Sequence, residues 1–154
     1  MNATVHEIGH VGHSHLRTLW TEERSQPEMK HKILDNINSE GICTYIGFTA
    51  QHFAPAPDDK DYPMIDDPDR VRQAFENSNL ILSKVGQIPD EDIQKMSWDL
   101  GIQGRSYYVV GLTMCKLIDE RLGRNTLIEV MSTGPRKWVR TYNQLADIDL
   151  QLSI

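Results

Sequence analysis

The chain has 154 residues, enough for one domain and too few for two of ordinary size. Apolar residues make up 39% and charged residues 25%, which excludes a disordered chain, and no apolar run approaches the roughly 20 residues that span a bilayer. A net charge of −6, with 16 basic residues scattered among 22 acidic ones, leaves no basic footprint for nucleic acid.

The elements predicted in chain order are helical. Asn2 or Thr4 can cap a first helix running to about Trp20, with Val5, Ile8, Val11, Leu16 and Leu19 as its apolar stripe. Glu22–Pro27 reads as a loop, and Pro27 sits well at the first turn of a second helix. Met29, Ile33, Leu34, Ile37, Ile42 and Tyr45 form the stripe of that helix. From Phe53 to Pro68 the chain turns rich in Pro and Asp, a surface excursion that no regular helix or central strand tolerates.

Asp69–Val85 is the next predicted helix, ended by Gly86. Asp90, Glu91 and Asp92 follow Pro89 and suit the positive end of a short helix whose apolar face holds Ile93, Met96 and Trp98. Gly101 and Gly104 punctuate the chain before Ser106 caps a long helix to about Leu122, closed by Gly123. Asn125 caps a helix over Thr126–Met131, Gly134-Pro135 breaks it, and a last helix covers Arg136 to about Ala146. Only Ile148, Leu150, Leu152 and Ile154 alternate weakly at the end. The reading is a single mainly α domain over residues 1–154. Cys43 and Cys115 are too few for a disulfide framework. Met1–Val5 shows neither a basic nor an apolar leader segment, so a cytoplasmic chain is expected, with no membrane and no nucleic-acid partner.

One constellation carries chemistry. In His6-Glu7-Ile8-Gly9-His10 the two histidines are four residues apart, so on a helix both imidazoles can reach one metal ion. Glu7 lies a quarter-turn away and can reach a water on that metal as a general base. A catalytic zinc usually takes three protein ligands and keeps one open position. Glu40 is the best third ligand: it interrupts the apolar stripe between Ile37 and Tyr45, where a carboxylate is costly unless paired or metal-bound. Gly41 beside it permits another helix to approach. A loop over 22–27 lets the second helix return antiparallel and bring Glu40 to the histidines. His13, three residues past His10, is a substitute ligand, a group that supports a ligand, or part of a polar face with His15; His31 and His52 read as surface residues.

HEIGH followed by Ser39-Glu40-Gly41-Ile42-Cys43-Thr44-Tyr45 resembles the gluzincin zinc metallopeptidases and related zinc-dependent peptidase families without characterised members, over residues 5 to about 142. The later Tyr108-Val109-Val110-Gly111 matches their Tyr-x-x-Gly helix. The resemblance implies the helical catalytic subdomain of a zincin, with zinc held by His6, His10 and Glu40, Glu7 as base, a peptide or protein as substrate, and a tyrosine stabilising the oxyanion. Tyr108 is the first choice for that tyrosine and Tyr107 the second. The spacing departs from a metzincin, since positions 13 and 16 hold His13 and Leu16. Only five residues precede His6, where such peptidases carry a β-sheet that pairs with substrate. Three expectations follow: the chain is the C-terminal part of a longer product, a homo-oligomer or other partner segment completes the cleft, or the chain binds metal without cleaving peptides. The competing reading is a helical interaction protein with a structural or vestigial metal site, for which a fourth protein ligand such as His13 would be the sign.

Overall fold

Two helices rich in apolar residues form the centre of the molecule. The computed structural model describes residues 3–20, 28–50 and 62–154. Its helices are α1 (Ala3–Arg17), α2 (Met29–Ala50), α3 (Pro68–Lys84), α4 (Asp90–Met96), α5 (Ser106–Leu122), α6 (Arg124–Thr133) and α7 (Pro135–Asn143). No strand occurs among the described residues; Val85 and Ile88 make a single bridge. The fold is therefore mainly α, as the sequence predicts. Asn2, the whole 22–27 loop with Pro27, His52 and residues 53–61 of the 53–68 excursion lie outside the described residues, and Tyr62–Asp66 forms a short 3-10 turn.

α2 and α5 pack against each other, with α1 on α2, α3 on α5, α6 against α5 and α1, and α7 against α6, α2 and α5. Ile33, Leu34 and Ile37 of α2 meet Val110, Leu112 and Met114 of α5 in a core that Phe75, Trp138 and Tyr142 complete. The α2–α5 crossing is a contact of two glycines. A Cβ on Gly41 would fall 2.7 Å from the Gly111 carbonyl carbon, and one on Gly111 would fall 2.5 Å from the Ile37 carbonyl oxygen. No side chain larger than hydrogen fits at either position.

Several elements differ from the sequence reading, each for a visible reason. α3 begins at Pro68 because the Asp67 carboxylate caps it, accepting from the backbone N–H groups of Asp69 (3.0 Å) and Arg70 (3.3 Å). Gly101 is no breaker: α4 continues into a π-helical stretch over Ser97–Gln103, and the absent Cβ of Gly101 leaves room for the Tyr107 ring, 2.5 Å away at Cζ. Trp98 faces outward, 56% exposed. Arg105, not Ser106, stands at the N-cap of α5; Ser106 is buried in the first turn and accepts from Asn77 Nδ2 at 3.1 Å. Gly123, with φ 86°, ends α5 and starts α6 without the Asn125 cap. The C-terminal tail is held by side chains instead of sheet pairing: Asn79 donates to the Gln151 carbonyl at 2.8 Å and Asn143 to that of Leu152 at 2.8 Å.

The largest correction concerns α1. Ile8 and Val11 are 64% and 73% exposed, and Leu19, beyond the helix end at Arg17, is 54% exposed. The face turned to α2 is instead His6, Gly9 and His13. Ile8, Val11 and Leu19 of the predicted stripe thus point to solvent while Val5 and Leu16 are half-buried, and the polar side turns inward, where α2 offers partners for hydrogen bonds.

Gly111→Ala should therefore lower stability by about 1–3 kcal/mol, the usual cost of overpacking against backbone. Gly12→Ala, on the exposed face of α1 with nothing within 4 Å of the new methyl, should raise it by up to about 1 kcal/mol through helix propensity. Urea unfolding of the two variants measures both signs; equal effects would contradict the glycine contact.

Candidate metal centre

α1 runs antiparallel to α2, as pairs along the seam show: His6 with Glu40, His13 with Asn38, Arg17 with Asp35, and Trp20 with His31. Gly9 is the point of closest approach. A Cβ there would lie 3.0 Å from Cys43 Cα, so the glycine between the two histidines lets the α1 backbone rest on α2. This contact brings His6 and His10 down onto Glu40.

The three side chains converge. His6 Nε2 lies 3.0 Å from His10 Nε2 and 3.3 Å from Glu40 Oε2; His10 Nε2 lies 3.7 Å from the same oxygen. Ligands at about 2.0–2.2 Å around a tetrahedral ion stand about 3.3–3.6 Å apart. Glu40 Oε2 and His6 Nδ1 are buried without a hydrogen-bond partner among the described residues. Two ring nitrogens and an orphaned carboxylate oxygen facing one point make a poor hydrogen-bond network and a suitable donor set for a divalent cation. Among the described residues this is the one group of three or more His, Cys, Asp or Glu so arranged.

The surroundings orient the donors. His10 Nδ1 is 3.1 Å from Ser39 Oγ, which fixes the ring with Nε2 towards Glu40. Burial alone would raise the Glu40 carboxyl, but His6, His10 and a hydrogen bond from the Tyr108 phenol outweigh it and hold the carboxyl below the usual range. Tyr108 also stacks on the His6 ring, centroids 5.9 Å apart at 20°. Glu7 is exposed on α1. Its charge and that of Glu40 both act on the Cys43 thiol, which burial first and then these carboxylates push up to about 12.

Other sequence candidates lie apart. Tyr107 is fully buried, shares a 2.8 Å hydrogen bond with Ser97, and burial pushes its phenol up to about 12. His13 binds Asn38 Oδ1 through Nε2 at 2.7 Å and is not part of the convergent group; His15 is exposed. His31 is half-buried against Trp20. Sequence reasoning missed Ser39, which orients His10, and Asn38, which holds His13; the signal was present, since polar Asn38-Ser39-Glu40 interrupts an apolar helix.

Burial pushes the His13 imidazole below its ordinary range, against the Asn38 bond and the Asp35 charge that raise it. A group whose pKa falls on folding takes its proton first in the unfolded chain. It contributes stability above about pH 6.5 and loses it as pH falls towards the folded value. In the presence of chelator, the urea midpoint should drop between about pH 7.5 and about pH 5.5, and His13→Gln should flatten that drop. Equal slopes in both proteins would assign the sensitivity to another group.

No helix among the described residues is long and apolar enough to cross a membrane. No curated protein and no solved structure matches the chain. A family model described as "Putative zinc dependent peptidase (DUF5700)" matches residues 2–150. That match takes in α1, α2 and α5 with all three convergent side chains, and the chain belongs to this family.

Proposed function

We propose that the chain is a zinc metallopeptidase of the gluzincin type, with His6, His10 and Glu40 as ligands and Glu7 as general base. The observation that carries the reading is the convergence of two imidazole Nε2 atoms and an orphaned buried carboxylate oxygen at 3.0–3.7 Å. A zinc ion held there supplies an activated water and polarises the scissile carbonyl of a peptide. Glu7, next in sequence to His6 and open to solvent, takes the proton of the attacking water and returns it to the leaving amine. The Tyr108 phenol, already a donor to Glu40, turns its hydrogen bond to the oxyanion that develops at the cleaved carbonyl. Ser39 holds the His10 ring in place through its bond to Nδ1. A closed structural site would recruit His13 as fourth ligand; its engagement with Asn38 favours three ligands and an open position.

Purified protein should contain one zinc per chain, and His6→Ala or Glu40→Ala should lose it. Glu7→Gln should retain the metal while hydrolysis of a peptide library falls by roughly 10²–10⁴-fold. Unchanged turnover in Glu7→Gln would remove Glu7 from the mechanism; a wild-type protein that takes up no zinc would remove the reading altogether.

A further inference from the structure

Arg105 breaks three local rules at once. It is the one non-glycine residue with positive φ among those described (φ 63°, ψ 10°), a left-handed conformation that L side chains other than Asn and Asp adopt at a cost. It stands at the N-cap of α5, where a cation opposes the helix dipole. Its side chain makes no capping hydrogen bond to α5. Glycine or asparagine would suit the backbone better. What arginine adds is its guanidinium, whose carbon lies 3.4 Å from the centroid of the Tyr108 ring. That ring is stacked on His6, and its phenol bonds Glu40. Local strain kept at such a place is the mark of a side chain whose placement matters more than the stability of the turn.

We propose that Arg105 is a positioning residue of the metal centre, its guanidinium holding the Tyr108 ring against His6 so that the phenol stays on Glu40. With this left-handed backbone at the N-cap, the guanidinium lies over the Tyr108 ring in the first turn of α5. The role extends the ligand assignment above and rests on it for its effect on metal, but the ring placement itself does not require metal.

The test uses Arg105→Gly, Arg105→Lys, Tyr108→Phe and the double variant Arg105→Gly/Tyr108→Phe. In metal-free protein carrying ring-labelled tyrosine, the Tyr108 signals, assigned by their loss in Tyr108→Phe, should move towards free-tyrosine positions in Arg105→Gly, with an unfolding midpoint no lower than wild type. Zinc affinity, measured by chelator competition, should fall about tenfold or more in Arg105→Gly and in Tyr108→Phe, as for other groups that orient ligands. The double variant should lose no more than the larger single loss, because the two residues act through one contact. Arg105→Lys keeps the charge without the planar face and should not restore the affinity. Unmoved Tyr108 signals in Arg105→Gly would overturn the proposal whether or not the wild type binds zinc. So would multiplicative losses in the double variant. Absence of zinc binding in the wild type with displaced Tyr108 signals in Arg105→Gly would instead sink the metallopeptidase reading and leave the positioning of the ring by Arg105 standing.

Discussion

The site depends on how closely three helices approach. Helices normally pack with axes about 8–10 Å apart, separated by interlocking side chains. Here α2 meets α5 through Gly41 and Gly111 with no side chain between them, and it meets α1 through Gly9 on Cys43. Each residue of the candidate centre lies within one turn of such a contact: Glu40 adjoins Gly41, Tyr108 precedes Gly111 by three residues, and His6 and His10 flank Gly9. Backbone resting on backbone cannot relax by changing a rotamer, so the separations of the donor atoms are set by the most rigid contacts available to a helical protein.

This arrangement divides the molecule into two kinds of packing. Around α2 and α5 the interface is apolar and fully buried, and it accounts for the core. Between α1 and α2 it is polar, held by His13 on Asn38, Arg17 on Asp35 at 2.7 Å, and His10 on Ser39. Trp20 adds an anchor just past α1, donating its indole N–H to the Met131 carbonyl at 3.0 Å. Burial opposes the charge of Asp35 first of all, raising its carboxyl, while Arg17 and the nearby histidines act the other way. A seam of this kind fixes register, because a one-residue slip would strand every pair, but each bond contributes only about 0.5–1.5 kcal/mol net.

What the sequence made legible follows from the same division. The convergence of His6, His10 and Glu40 was readable because its information is local or nearly so: four-residue spacing on one helix, and a carboxylate standing in an apolar stripe on the next. The orientation of α1 was not. Ile8, Val11 and Leu19 mark an apolar face by periodicity, and burial of the opposite face follows only from the partners that α2 presents. The same limit explains the start of α5. Ser106 is the better cap by propensity, yet Arg105 holds that place, beside the ring of Tyr107 over Gly101 and with its guanidinium on Tyr108, and both are contacts made after folding. Gly101 reads as a breaker in one dimension and as a cavity for a ring in three.

The polar seam also ties the position of α1 to a cation. His6 Nδ1, Asp35 Oδ1, Asn38 Nδ2 and Glu40 Oε2 all lie buried between these two helices without a hydrogen-bond partner among the described residues. Each such atom costs about 1–3 kcal/mol. Ile8 and Val11 of α1, which elsewhere would offset this, face outward. A cation bridging His6, His10 and Glu40 would satisfy the Glu40 oxygen directly and join the two helices where their apolar packing is thinnest. Its binding free energy would then appear as docking energy of α1. The core built on α2 and α5 owes nothing to that bridge. The candidate centre therefore lies at the joint between the part of the fold held by its own core and the part that a bound ion would secure.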